Sequence, residues 1–200
     1  MSRRQRTARA RGRRGEIPQP PGRKRSALSR AMFWGLEIVI VILFAFLLVY
    51  FFGQSRTNIG QSMSVTLSGG DTVLLDTFSY QIGSPKRGDI IAFKPGGSET
   101  SHSYIKRVIG LPGETIQIID GMIYINDELY LEEADYPAIN DPGMAAEPIT
   151  LGSDEYFVLG DNRNDSQDSR FADVGNVRRS YIEGRVWLVL APRNHFGLVS

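Results

Sequence analysis

Tyr104-Ile105-Lys106-Arg107-Val108-Ile109-Gly110, running on into Leu111-Pro112-Gly113-Glu114, is the stretch on which the reading of this chain turns. Rich in β-branched and aromatic residues and closed by a Gly/Pro turn, it reads as a β-strand. Side chains alternate along a strand, so Tyr104, Lys106 and Val108 share one face while Ile105, Arg107 and Ile109 share the other. Lys106 therefore has aromatic and apolar neighbours on its own face. Desolvation disfavours the charged amine, and a neutral amine can take a proton from a hydroxyl. An exposed lysine on an edge strand has the same pattern, so this strand alone does not choose.

Upstream, residues 38–52 are apolar without a break, and residues 32–52 contain one charge, Glu37. About 20 residues cross a bilayer core as a helix. Glu37 falls in the second turn, within reach of headgroups, and Trp34 and Tyr50 lie near the ends as interfacial aromatics do. A cleavable signal peptide has a shorter apolar core and a small-x-small site, and Gly53-Gln54-Ser55-Arg56 has none. The expectation is an uncleaved anchor over residues 32–52. Ser62 follows ten residues after Phe52, so an extended chain carries it at most about 36 Å from the end of the run. A serine held near a membrane, and a lysine able to activate it, point to proteolysis there.

The charge of +1 hides an asymmetry. Residues 1–30 hold eleven Lys/Arg and one acid, whereas residues 53–200 hold twelve basic and twenty acidic residues. Basic charge before a transmembrane helix stays in the cytoplasm, which places the acidic part outside. The tail, residues 1–31, is expected to be disordered and topogenic. Binding of nucleic acid or anionic lipid is its alternative use, and no nucleic-acid partner is expected. The absence of cysteine excludes disulfides and thiolate chemistry, and two histidines argue against a multi-histidine metal site. No cofactor or metal is expected.

Beyond Gly53 the pattern is short strands with turn punctuation: residues 71–76, 89–93, 104–109, 115–119, 122–125, 155–159 and 185–190. Asp120-Gly121 between the fourth and fifth is a strong two-residue hairpin signal. The acidic, proline-containing residues 132–148 read as a long loop or small lobe. The fold class is thus mainly β: a peptidase domain over residues 53–200, with a hairpin and loop insertion at about 115–155, preceded by one transmembrane helix.

Gly160-Asp161-Asn162-Arg163-Asn164-Asp165-Ser166-Gln167-Asp168-Ser169-Arg170 is the densest polar segment. Its alternating Asp and Asn suggest a calcium loop, but Arg163 intrudes and no acidic residue closes the loop at the needed offset. A rigid loop of Asx turns with an internal Asp–Arg pair, buttressing a site from behind, fits better. Ser62 by itself is one serine of a polar loop; Gly60 before it permits close backbone approach, and a backbone N–H at a sharp turn can stabilise an oxyanion.

From Gly53 onward the chain resembles the type I bacterial signal peptidases (leader peptidases), Ser/Lys-dyad serine proteases. Four blocks in the family's order carry the resemblance: Ser62-Met63-Ser64-Val65-Thr66-Leu67, Arg87-Gly88-Asp89-Ile90-Ile91-Ala92-Phe93, the run from Tyr104 to Glu114, and the run from Gly160 to Arg170. The resemblance implies a signal-peptidase-type β-sheet or barrel domain, with Ser62 as nucleophile and Lys106 as general base. It implies that Ser166 hydrogen-bonds the lysine amine, that Met63, Asp161, Asp168 and Arg170 support the site, and that the oxyanion hole rests mainly on the Ser62 N–H. The chain departs from the family pattern at Val65, where proline is usual, and at Asp165, where asparagine is. The implied substrates are signal peptides of exported preproteins, cut at small-x-small sites. The lipid bilayer and the secretion translocon are the implied partners, and the single anchor looks Gram-positive. A specialised relative, a protease or assembly factor for one surface protein such as a pilin, is the alternative.

Overall fold

The computed structural model describes residues 27–98 and 100–199. Most of the expected basic tail lies outside the described residues. The chain divides into two units within its long helix, at Ile42/Leu43.

The helix, α1 (Ala27–Phe52), starts earlier than the Met32 expected. Its segment Leu28–Phe52 is long and apolar enough to cross a membrane. Met32, Val41 and Phe46 are 69%, 64% and 65% exposed, so nothing among the described residues buries them. A helix apolar on all sides is stable only where something apolar surrounds it, which is the character of a single-pass membrane anchor. At its end, Gly53 N–H donates to Val49 O at 2.8 Å, and Phe51 O accepts from Thr77 N–H and Oγ1 at 3.1 and 3.0 Å. The Phe51 ring packs edge-on against Phe78 (5.1 Å between centroids), and Phe52 against Trp187 (6.4 Å).

Every strand pair that follows is antiparallel. The strands are β1 (Gln54–Thr57), β2 (Thr72–Asp76), β3 (Ile90–Phe93), β4 (Tyr104–Gly110), β5 (Thr115–Ile119), β6 (Met122–Ile125), β7 (Glu128–Leu129), β8 (Ile149–Thr150), β9 (Glu155–Leu159), β10 (Val177–Arg178), β11 (Ile182–Ala191) and β12 (Gly197–Leu198). The larger sheet runs β1-β2-β11-β3-β4-β9-β10, with β12 on β11; the smaller runs β7-β6-β5-β8. A short helix, α2 (Ser79–Ile82), interrupts what reads in sequence as strands and turns alone. The sequence reading omits β1, β7, β8, β10 and β12; apart from β1, each is two residues long, too short to show a period of two.

The β5–β6 hairpin turns at Asp120 (φ +50°) and Gly121 (φ +79°), the left-handed pair a tight primed turn requires. Asn126 and Asp127 repeat the device between β6 and β7, with φ of +52° and +67°. Three apolar clusters hold the β part. Met63, Val73, Ile90 and Ile105 anchor one, and Ile91, Phe93, Val108 and Val158 another. The third joins Ile116, Ile118 and Ile123 of the smaller sheet to Ile109 and Phe157 of the larger, so the two sheets share a core.

Candidate active site

Ser62 is carried by the β1–β2 connection, which is knotted at its base. Asn58 is 3% exposed; its N–H donates to Asp71 O at 2.7 Å, its carbonyl accepts from Gly70 at 2.8 Å, and its side-chain amide donates to Ser68 O at 2.9 Å. Met63 and Leu67, both fully buried, pin the middle of the loop to the core. Gly60, with φ +89°, sets up a helical turn in which Ser64 N–H donates to Gln61 O (2.9 Å) and Leu67 N–H to Met63 O (2.6 Å). Ser62 is therefore presented at the rim of a rigid turn, with its neighbour Met63 as the anchor. Among the described residues the Ser62 N–H has no hydrogen-bond partner, and the Ser62 carbonyl accepts one from Asn162 N–H at 3.0 Å. Val65, on the same turn, is exposed, and its N–H has no partner among the described residues, so a proline there would break no hydrogen bond seen in them.

Lys106 comes from the middle of β4. Its register partner on β3 is the fully buried Ile91, and its Nζ lies 5.4 Å from the Tyr104 ring centroid. The residue is 4% exposed, and Nζ donates a 2.6 Å hydrogen bond to Ser62 Oγ. Burial pushes its pKa down from the usual 10.5 to about 8, against the opposing pull of Asp168 and Asp161. When the amine is neutral, the same contact runs in reverse and the serine O–H donates to nitrogen.

The Gly160–Arg170 loop closes the site from behind. Arg107 pairs with Leu159, which brings Gly160 beside Lys106. A side chain at Gly160 would collide with Ser62 O and with Ser166, so glycine is what lets the two loops meet. Asp168 Oδ2 accepts from Gly160 N–H at 3.1 Å, and the Asp168 carboxylate grips Arg170 through two bonds of 2.8 and 2.9 Å. This is the internal Asp–Arg pair expected of the loop. Asp161 pairs elsewhere: its two oxygens accept from Arg107 Nε and Nη2 at 2.8 and 2.9 Å, and Thr66 Oγ1 donates to it. One buried carboxylate thus ties β4 to the serine loop. The sequence reading gives Arg107 and Thr66 no role in the site, although Arg107 is adjacent to Lys106 and faces the other way.

Ser166 departs from expectation. Its Oγ is buried and has no hydrogen-bond partner among the described residues, and the amine's bond goes to Ser62. Ser166 packs against Gly160 instead.

Sequence reading also leaves residues 132–148 without a role. They form a strap over the loop: Asn164 exchanges bonds with Asn140 N–H (2.9 Å) and Ala138 O (3.0 Å), and Arg170 donates to Asp141 O (2.9 Å). Arg163, bound to Glu132 at 2.6 Å, lies 4.4 Å over the Tyr136 ring, and Arg107 lies 5.6 Å from it. Tyr136 therefore holds two arginines of the site. Tyr136→Ala is expected to cost roughly tenfold in kcat through misplacement of Arg107 and Asp161, with Tyr136→Phe near wild type. Equal losses in the two variants, measured on one peptide, would show that ring stacking is not the cause.

A cleft of about 330 Å³ opens on the dyad, with Ser62, Lys106, Tyr104, His102, Asp165 and Gln167 in its lining. Among the described residues no cluster of His, Cys, Asp and Glu is placed to hold a metal ion.

A serine hydroxyl beside a buried amine, set in a β fold behind one apolar helix, is the equipment of a lysine-assisted serine hydrolase. Comparison with known proteins narrows the class: a family model described as "Signal peptidase, peptidase S26" matches residues 31–191, and the chain belongs to that family. "Signal peptidase I T" of Bacillus subtilis (strain 168) is 36% identical over 169 residues, 80% of this chain and 86% of the relative. "Signal peptidase I P" of Bacillus subtilis subsp. natto is 36% identical over 172 residues, 82% of this chain and 90% of the relative. "Probable signal peptidase I-2" of Synechocystis sp. is 32% identical over 170 residues, 83% and 76% of the two chains. Among solved structures, a signal peptidase I from Enterococcus faecalis V583 matches with 33% identity and a TM-score of 0.39, over 55% of this chain and 98% of that one. The activity is that of a signal peptidase I, a serine peptidase.

Proposed function

We propose that Ser62 and Lys106 carry out the hydrolysis, on signal peptides of exported preproteins, at a bond preceded by small residues in a small-x-small arrangement. The observation that carries this reading is the 2.6 Å contact between a 4%-exposed lysine amine and the serine hydroxyl. Ser62 Oγ attacks the scissile carbonyl while neutral Lys106 takes its proton. The unbonded Ser62 N–H faces the developing oxyanion. Lys106 then returns the proton to the leaving amine as the C–N bond breaks. A water molecule, deprotonated by the same amine, releases the acyl group from Ser62.

Topology follows from charge. Positively charged residues before α1 keep the N-terminus in the cytoplasm and place residues 53–200 outside. Signal peptides end their apolar core at that outer surface, where the secretion translocon delivers them. The anchor shortens the search for the scissile bond.

The test is cleavage of a membrane-inserted precursor with an Ala-x-Ala site by wild type, Ser62→Ala and Lys106→Ala. Wild type alone should cut, after the second alanine, and kcat/KM should climb as pH rises through about 8, where the amine loses its proton. A folded Lys106→Ala that processes the precursor at the normal rate would remove Lys106 from the mechanism.

A further inference from the structure

We propose that Asp165 makes the cleft selective for substrates carrying a lysine or arginine side chain close to the scissile bond. The inference rests on Ser62 and Lys106 being the reactive pair, because their position defines which part of a peptide the cleft receives.

Asp165 lines the same cleft as Ser62 and Lys106, and it is exposed there. The other carboxylates of its loop are neutralised: Asp161 by Arg107 and Asp168 by Arg170, each at 2.8 Å. Among the described residues the Asp165 carboxylate has neither an ion pair nor a hydrogen bond, and it is the one carboxylate in the cleft lining. The one lysine of the lining, Lys106, is buried and committed to Ser62. His102, also in the lining, is exposed. A peptide entering the cleft strips water from Asp165. A neutral or acidic side chain leaves that charge uncompensated, whereas a cation restores a partner.

The experiment uses full-length protein in lipid vesicles and a set of Ala-x-Ala peptides. One peptide is uncharged near the cut; the others carry a single Lys or a single Glu at each of the four positions on either side of the bond. At one or more positions wild type should cut the Lys peptide about tenfold faster, by kcat/KM, than the Glu peptide, as expected for one charge pair across a partly hydrated cleft. Asp165→Asn should bring that ratio close to one, and added salt should shrink it in wild type. A ratio near one at every position in wild type, or a preference that survives Asp165→Asn, overturns the proposal. If wild type cuts none of the peptides, the proposed function itself fails and takes this inference with it.

Discussion

Lys106→Met should abolish cleavage and, at the same time, strengthen the fold. Without the amine the serine has no base, and losses of about 10⁴-fold or more in kcat are usual when a member of such a unit is removed. The stability gain has a separate cause. Burial lowers the Lys106 pKa from 10.5 to about 8, so folding strips a proton-binding group of its hydration. At pH 7 the amine is mostly charged in both states, and the shift corresponds to about 3 kcal/mol against the native fold. Methionine has a similar shape and no charge to desolvate. The sign with pH follows: between about 8 and 10.5 the unfolded chain keeps the proton and the native protein does not, so wild-type stability rises toward that of the variant. Urea unfolding at pH 7 and pH 9.5 measures the gap. A Lys106→Met protein less stable than wild type at pH 7, or a gap that does not narrow with pH, would show that the lysine is better solvated than its burial implies.

Arg107→Ala should have the opposite effect on stability and a comparable one on activity. Asp161 is fully buried and Arg107 is 8% exposed, and their paired hydrogen bonds of 2.8 and 2.9 Å leave little room for water to substitute. Removing the guanidinium strands a carboxylate in the interior, which costs about 3–5 kcal/mol. The same carboxylate accepts from Thr66 on the turn that presents Ser62, so the nucleophile should lose its placement as well. The double variant Arg107→Met/Asp161→Leu removes both charges and should recover much of the stability without recovering cleavage. If the double variant is as unstable as Arg107→Ala, packing rather than the stranded charge is responsible.

Taken alone, the sequence settled the elements whose cause is local. An unbroken apolar run of this length makes a helix long enough to cross a bilayer, whatever the rest of the chain does. Alternation across residues 104–110 makes a strand, and Asp120-Gly121 makes a turn because few residue pairs tolerate two left-handed conformations. The pairing of Ser62 with Lys106, which the structure brings to 2.6 Å, was legible because each sits within a short block, and four blocks in order are specific where one serine is not.

Tertiary structure alone decided how those blocks meet, because a hydrogen bond between residues far apart leaves no periodic trace in sequence. The choice of Arg107 over Arg170 as the partner of Asp161 depends on the β4–β9 register. The Tyr136 strap over the supporting loop follows from how the smaller sheet and its connections pack on the larger sheet. The lowered pKa of Lys106 belongs here too. Alternation puts a lysine among apolar neighbours, but only the closing of the serine loop and the Gly160 loop around it removes the water that would otherwise keep it charged.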